Sequence, residues 1–348
     1  MKKLAVAVVG VTGAVGSTML QVLAESSLKV GEVIALATAR SAGTRVAFRG
    51  AELEVQDIAS CDFKGVDLAL FAGGEIASAD YVPRAVAAGA VVVDNSATFR
   101  MDAKVPLVIP EVNPQHLRNH HGIIANPNCS TIQMVAALAP IARKWGLKSV
   151  NVCTYQSVSG TGKNAIEELR QQVRAWADEK PLPAPSAYPQ QIAFNLIPQI
   201  ASFDAEGISG EERKMIQETR KILDLPDLPV MATCVRVPVF YAHSESVHCQ
   251  TLHSASPEEV RNLLATAPGL SVIDAPQEGA YPTPLLAEHQ DKVLVGRIRR
   301  DLSCENGIAM WVVADNLRKG AATNAVQIAE KMVEMGLLAN QSAQGIKL

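Results

Sequence analysis

The sequence lacks the features that mark several large protein classes. Its longest apolar runs fall far short of the ~20 residues that cross a membrane. Lysine and arginine form no run, and the formal net charge is only -3. Such a near balance gives no electrostatic basis for binding nucleic acid or an anionic membrane. We therefore expect neither partner, and the length suggests a globular chain of about two domains.

Cysteine pairs and clusters of metal ligands are also missing. No CxxC pair occurs, and His120-His121 has no third ligand nearby. This pattern fits a reducing compartment and predicts no metal site. Met1-Lys2-Lys3 and the apolar residues after it resemble the start of a signal peptide, but the run breaks at Gly10, so we expect a cytoplasmic protein. The six cysteines are Cys61, Cys129, Cys153, Cys234, Cys249 and Cys304.

The N-terminus carries a glycine turn between a strand and a helix. Residues 4–9 are continuously apolar and too few for a helix, which predicts a buried strand of a parallel sheet. Glycines then recur at intervals of three, which lets backbone approach a diphosphate at a helix N-terminus. GxxGxxG is a weak signal alone, but its context favours dinucleotide binding over a plain turn. The residues assigned to the cofactor are Gly10, Thr12, Gly13, Ala14, Val15 and Gly16.

The end of the second predicted strand indicates which dinucleotide binds. An acidic residue there suits the NAD ribose, whereas a basic one suits the 2′-phosphate of NADP. The strand 33–37 runs into a turn without a carboxylate, where Arg40 and Ser41 offer a cation and a hydroxyl. We predict NADP, and the alternative is that Arg40 is an ordinary solvated loop charge. Gly73, at the end of the predicted strand 66–72, is assigned to the same site.

One cysteine lies where a nucleophile would be activated. Pro127 biases Asn126 away from helix, and a strongly helical pattern opens at Thr131. Cys129 is therefore predicted at a helix N-terminus, where the partial positive charge favours thiolate over thiol. An activated thiolate attacks carbonyl carbon. The alternative is a buried structural cysteine, which is common for free thiols.

The order of predicted elements divides the chain into two parts. Up to residue 127, strands and helices alternate, which is typical of a Rossmann-like doubly wound parallel sheet. Beyond about residue 147 the strands belong to another sheet, so we predict an α/β protein with a second, α+β domain. An amphipathic helix near the end is expected to pack onto the first domain. The predicted domains are 1–127, completed by a C-terminal helix in 322–348, and 128–321.

The spacing of hydrophobic residues predicts individual helices and strands. Ile166, Leu169, Val173 and Trp176 form one apolar stripe on the predicted helix 164–176, which favours a core position. Other predicted strands are 91–94, 122–125, 150–156 and 231–240, and another predicted helix covers 81–88.

Several further segments carry a resemblance over nearly the whole chain. The segments are GVTGAVG from Gly10, DNSATFRM from Asp94, VPLVIPEVN from Val105, NPNCSTIQ from Asn126, TYQSVSGTGKNAIEEL from Thr154, EERKMIQETRKIL from Glu211, CVRVPVFYAHSE from Cys234, YPTPL from Tyr281, VGRIRRD from Val295 and DNLRKGAA from Asp315. Together they make the chain similar to bacterial aspartate-semialdehyde dehydrogenases, although any one alone would be unspecific.

The resemblance implies a catalytic set. In that family a cysteine, here Cys129, attacks the acyl or aldehyde carbon, and a histidine seven residues after an arginine is the acid–base catalyst. Arg236 and His243 have that spacing. Gln156 matches the glutamine that positions the intermediate, since an amide hydrogen-bonds without titrating. The nearby histidines outside the family context, interpreted as strand-surface residues, are His248 and His253.

The resemblance also implies how substrate is bound. Arg236 matches the arginine that binds the substrate carboxylate, and Glu211 matches the group that binds its ammonium. Lys214 and Arg100 match phosphate ligands, and Asn316 matches a position near the nicotinamide. Glu211 and Lys214 are three apart on a predicted helix, hence on one face. From the residues alone, a solvated charged face would be the preferred interpretation.

The family relation implies interconversion of L-aspartyl 4-phosphate and L-aspartate 4-semialdehyde in lysine, threonine and methionine synthesis. It also implies that the second domain carries catalysis and dimerisation, in a homodimer or tetramer. One alternative is N-acetyl-glutamyl-phosphate reductase, whose uncharged substrate nitrogen would leave Glu211 unpaired. The other is a non-catalytic NADP-binding paralogue, which the presence of Cys129, Gln156 and His243 disfavours.

Overall fold

The computed structural model describes residues 3–338. The chain forms two compact units. The first takes in the chain up to Asn128 and the segment that begins at Ala321, and the second is Cys129–Gly320. No helix within the described residues is long and apolar enough to cross a membrane.

Strands and helices alternate in the first unit, and long strands dominate the second. The strands are β1 (Leu4–Val9), β2 (Val30–Ala37), β3 (Arg45–Phe48), β4 (Ala51–Glu54), β5 (Gln56–Asp57), β6 (Leu68–Phe71), β7 (Val91–Asp94), β8 (Ile123–Ala125), β9 (Leu147–Gln156), β10 (Val230–Arg236), β11 (His243–Thr251), β12 (Leu270–Val272), β13 (Val293–Arg300) and β14 (Gly307–Ala314). The α-helices are α1 (Ala14–Glu25), α2 (Gly74–Ala87), α3 (Cys129–Trp145), α4 (Lys163–Ala177), α5 (Gly210–Leu223), α6 (Pro257–Ala265), α7 (Pro284–Ala287) and α8 (Thr323–Glu334).

The first unit is a doubly wound parallel sheet in the order β5-β2-β1-β6-β7-β8. Apolar residues of β1 alternate between its two faces. Val6 and Val8 join the core that contains α1 and α8, whereas Ala7 and Val9 join the core beneath α2. The strand order reverses at β1, and in such sheets the crevice at the carboxyl ends of the strands is the usual ligand site.

The second unit is a mixed sheet in the order β10-β9-β11-β14-β13-β12. β9 and β10 are parallel, while β11 is antiparallel to both β9 and β14. Along β9, buried residues alternate with exposed ones, so one face packs against helices and the other presents Tyr155 and Cys153. This topology brings the carboxyl ends of β9 and β10 beside the start of β11.

The model confirms the predicted fold class and corrects several elements. α2 begins at Gly74, well before the predicted helix 81–88. β10 ends at Arg236, because Pro238 has no N–H to donate to a neighbouring strand. Val173 and Trp176 are exposed, so only half of the predicted apolar stripe lies in the core. The C-terminal helix contacts α1, as predicted, and the predicted range beyond residue 338 lies outside the described residues.

Candidate active site

The glycine turn of the first unit is shaped by close backbone packing. Gly10 has φ +82°, and a Cβ there would lie 2.5 Å from the carbonyl oxygen of Ala72. A Cβ on Gly16 would lie 2.0 Å from the carbonyl oxygen of Gly10. These two glycines are therefore required by the protein itself, one for the turn and one for strand–helix packing.

Gly13 has a different reason to lack a side chain. Its φ is −76°, and a Cβ there would meet only the Gly10 carbonyl oxygen, at 3.3 Å. Gly13 is the N-cap of α1, and its helix has no side-chain cap. Backbone N–H groups at such a terminus suit an anion that comes close to the chain. The loop thus fits the diphosphate of a dinucleotide.

The other predicted cofactor residues surround the same turn. Thr12 Oγ1 donates to Ser41 Oγ over 3.3 Å, which joins the glycine turn to the end of β2. Arg40 is exposed beside Ser41, and the turn from Thr38 to Ser41 carries no carboxylate. The remaining positions on the first turn of α1 and after β6 are Ala14, Val15 and Gly73.

Cys129 is the first residue of α3, as the sequence predicts. It is partly exposed. Gly320, in the π-helical turn Arg318–Ala322, packs directly against it, because a Cβ on Gly320 would lie 2.9 Å from the Cβ of Cys129. A side chain at position 320 would therefore clash with Cys129.

Ser157 orients the ring of His243. The backbone N–H of Ser157 donates to His243 Nδ1 over 3.1 Å. Because a backbone N–H can only donate, the neutral ring accepts at Nδ1 and carries its proton at Nε2. His243 is fully buried, and Nε2 has no hydrogen-bond partner among the described residues. Nε2 is therefore the ring atom available to a reacting group.

Arg236 also contacts Ser157, the residue at the bend that follows β9. Its Nη1 donates to the carbonyl oxygen of Ser157 over 2.6 Å, and its guanidinium lies 6.0 Å from the ring centroid of Tyr188. Burial lowers the pKa of His243 well below its ordinary range, and the positive charge of Arg236 lowers it further. The neutral imidazole is thus the stable form.

Gly160 leaves room for both groups. A Cβ at this position would lie 3.0 Å from Arg236 Nη1 and 3.1 Å from His243 Nε2. Sequence reasoning did not assign Ser157, Gly160 or Gly320 to the site. The available signal was their place in the segments SVSGTG and DNLRKGAA.

The acidic and basic residues of α5 meet the end of β9. Gln156 Nε2 donates to Glu211 Oε1 over 3.2 Å and to Thr154 Oγ1 over 3.3 Å. Lys214 Nζ lies 3.6 Å from Glu211 Oε2, so the predicted shared face exists. Glu211 is 5% exposed, which shows that this pair is not merely a solvated charged face.

Arg100 and Asn316 have different surroundings. Arg100 lies in the first unit, where its guanidinium donates to the carbonyl oxygens of Asn126 and Asn95, each over 2.9 Å. Asn316 lies in the second unit and accepts at Oδ1 from the hydroxyl of Ser157 and the backbone N–H of Ala242. Asn316 therefore links the Ser157 side chain to the backbone of the residue that precedes His243.

His248, which the sequence analysis interprets as a strand-surface residue, also pairs with an acidic side chain. Its Nδ1 lies 2.8 Å from Asp301 Oδ2. Hydrogen bonds from Ser303 and from His248 lower the pKa of Asp301 to about 2. His253 is exposed, as expected. Within residues 3–338, no group of three or more His, Cys, Asp or Glu side chains could hold a metal ion.

Comparison with known proteins points to one group of enzymes. A family model described as semialdehyde dehydrogenase, NAD binding domain, matches residues 5–120, and one described as semialdehyde dehydrogenase, dimerisation domain, matches residues 138–319. An aspartate-semialdehyde dehydrogenase of Aquifex aeolicus (strain VF5) is 52% identical over 336 residues, covering 96% of this chain and 99% of the relative.

Solved structures also match this chain over nearly its whole length. The crystal structure of aspartate semialdehyde dehydrogenase II complexed with ASA from Vibrio cholerae matches with a TM-score of 0.93 and 47% identity, covering 96% of this chain and 99% of that one. The aspartate semialdehyde dehydrogenase of Candida albicans, crystallised with NADP, matches with a TM-score of 0.76 and 25% identity, covering 97% and 100%.

We predict that Gly160→Ala lowers kcat without unfolding the protein. The added methyl displaces the Arg236 guanidinium or the His243 ring by a few tenths of an ångström, and misplacement of reacting groups costs up to about a hundredfold in rate. Steady-state kinetics and the melting temperature of the variant check this. Wild-type kcat in the folded variant would contradict it.

We also predict a pH-dependent stability difference between wild type and His243→Asn. The folded-state pKa of His243 is depressed, so its contribution to stability is present above its ordinary pKa of about 6.5 and is lost as pH falls below that value. The advantage of the wild type should shrink by up to about 1.4 kcal/mol per pH unit on acidification. Urea unfolding of both proteins between neutral and mildly acidic pH measures it, and parallel curves would refute it.

Proposed function

The chain belongs to the aspartate-semialdehyde dehydrogenase family of oxidoreductases, and we propose that it reduces L-aspartyl 4-phosphate to L-aspartate 4-semialdehyde with NADPH, through a thioester on Cys129. The observation that carries the proposal is the set of three charges placed around Gln156 and His243. Arg236 lies at the end of β10, and Glu211 and Lys214 lie on α5. This set complements a substrate with a carboxylate, an ammonium and a phosphate.

Each charge has a distinct partner on the proposed substrate. Arg236 binds the α-carboxylate, because a guanidinium can hold both oxygens. Its Nε is buried and has no hydrogen-bond partner among the described residues, so a donor remains available. Glu211 binds the α-ammonium, and Lys214 binds the phosphate. Arg100 is the proposed second phosphate ligand.

Covalent catalysis begins at Cys129. The thiolate attacks the acyl carbon, a C–S bond forms, and the C–O bond to phosphate breaks with its electron pair leaving on phosphate. Position at the start of α3 favours the thiolate. Gln156, hydrogen-bonded to Glu211, positions the acyl group without changing its own charge.

His243 serves the oxygen of the tetrahedral species. The neutral ring presents N–H at Nε2, which can donate to an oxygen that becomes negative. To accept a proton at Nε2, the ring must instead carry its proton at Nδ1, which gives up the hydrogen bond from the Ser157 N–H and donates to Ser157 Oγ, 3.0 Å away. Collapse of the thiohemiacetal then breaks the C–S bond and releases aldehyde and Cys129.

The residues of the glycine turn fit a dinucleotide. Gly13 and the uncapped start of α1 would hold the diphosphate, and Arg40 with Ser41 would hold a 2′-phosphate. Bound NADPH supplies the hydride that reduces the thioester. The NADP complex of the Candida albicans enzyme supports this choice of cofactor.

The cellular role and assembly follow from the same proposal. The product would enter lysine, threonine and methionine synthesis in the cytoplasm. We propose that residues 129–320 carry catalysis and form at least a homodimer, since the match to the dimerisation domain covers residues 138–319. The half-exposed Tyr155 and the exposed Met231 on the outer face of the second sheet are available for that contact.

We predict that Cys129→Ser abolishes phosphate-dependent turnover, because a serine hydroxyl there is a far weaker nucleophile than a thiolate. The assay follows NADPH absorbance with L-aspartate semialdehyde, NADP and phosphate. Cys153→Ser, at an exposed cysteine, is the matched control and should keep activity. If folded wild type is inactive here but oxidises N-acetylglutamate semialdehyde in the same assay, the substrate assignment fails.

We predict that Arg40→Asp raises the KM for NADP by about tenfold or more while changing the KM for NAD much less. A charge-assisted hydrogen bond is worth about 1.5–3 kcal/mol, and about 1.4 kcal/mol is tenfold in affinity. Arg118→Asp, at an exposed arginine of the same unit, is the control. Equal effects on both cofactors would remove Arg40 from the site.

A further inference from the structure

Glu245 is a buried acid that the proposed mechanism does not use. Its side chain is 0% exposed, and neither carboxyl oxygen has a hydrogen-bond partner among the described residues. It lies two residues after His243 on β11 and therefore on the same face of the sheet. Its neighbours across the sheet are Thr154 and Val312. An ionised carboxylate is costly in these surroundings.

Gln133, on α3, is the side-chain amide that acts on this carboxyl group. It lies four residues after Cys129, about one helical turn. Its Nε2 donates to the carbonyl oxygen of His243 over 3.3 Å, while its Oε1 is buried without a donor among residues 3–338. If Glu245 were ionised, three buried acceptor oxygens, two on Glu245 and Oε1 of Gln133, would lack a hydrogen-bond donor. One proton on Glu245 supplies the missing donor.

The neighbouring titratable groups favour the same state. Glu211 of α5 and Cys234 of β10 are the titratable groups whose charges act on Glu245 or respond to it. Burial raises the pKa of Glu245 well above its usual range, the nearby amide of Gln133 opposes this in part, and the charge of Glu211 raises it further. Burial also raises the pKa of Cys234, so that thiol stays neutral.

We propose that Glu245 is a positioning residue that stays protonated and donates its O–H to Gln133, so that the helix of Cys129 holds the strand of His243 in place. The effect on catalysis rests on the proposed function, whereas the proton on Glu245 does not. The acid touches neither substrate nor cofactor and acts through Gln133.

The activity test compares Glu245→Gln with Glu245→Leu. An amide can still donate to Gln133, so Glu245→Gln should keep kcat within about threefold at neutral pH, whereas the apolar variant should lose about tenfold or more in kcat with little change in substrate KM. As pH rises from neutral into the alkaline range, wild-type kcat should fall when Glu245 loses its proton. Glu245→Gln should lack this fall.

The stability test needs no substrate. Because the folded-state pKa of Glu245 is raised, its contribution to stability is full below its ordinary pKa of about 4.3 and is lost as pH rises toward the folded value. The melting temperature of wild type should therefore decline more steeply with rising pH than that of Glu245→Gln. Glu258→Gln, at an exposed carboxylate of the same unit, should follow the wild type.

The outcomes separate this proposal from the proposed function. Parallel pH profiles of wild type and Glu245→Gln, in kcat and in melting temperature, would overturn the proposal. Wild-type kinetics in Glu245→Leu would overturn it as well. If Glu245→Leu does not fold, Gln133→Met, which removes the acceptor, must show the same loss of kcat. An inactive wild type that still shows the predicted melting difference would refute the function and support the proton on Glu245.

Discussion

The arrangement of His243 and Arg236 depends on the two hydrogen bonds made by the backbone of Ser157. Its N–H donates to the ring of His243, and its carbonyl oxygen accepts from Arg236. All three residues are almost fully buried, so an unsatisfied group at any of them would cost about 1–3 kcal/mol or more. The bend after β9 therefore sets the tautomer of the histidine and the direction of the arginine together, and Asn316 holds the bend from a third side.

The pKa values of two buried groups are shifted in opposite directions, and both shifts favour the uncharged form. Burial lowers the pKa of His243 and raises the pKa of Glu245, because desolvation penalises the charged form of each. Both shifts therefore favour the neutral form of the side chain. The ionic side chains assigned to the three charged groups of the proposed substrate are Arg236, Glu211 and Lys214. The proposed charge selectivity thus depends as much on keeping His243 and Glu245 neutral as on these three groups.

Much of the fold was predictable from local pattern, and the errors have physical causes. The apolar run of β1 and the glycine turn correctly indicate a doubly wound sheet, because both express short-range constraints. The prediction that the apolar stripe on α4 lies in the core was wrong at Val173 and Trp176. The spacing of apolar residues shows that a helix has an apolar face, but it does not show how much of that face another element covers. The early start of α2 at Gly74 was missed because glycines there read as a loop.

The sequence by itself determined the fold class, the start of the helix at Cys129 and, through resemblance, the family. It could also place Glu211 and Lys214 on one face, because helical spacing is a local property. Only the tertiary structure decided that Glu211 is buried against Gln156, that Nε2 is the available atom of His243, and that Gly160 leaves space for Arg236 and His243 and Gly320 for Cys129. It also brought Glu245 to Gln133. Each of these depends on contacts between residues far apart in the chain, and neither period nor composition records which strands and helices meet.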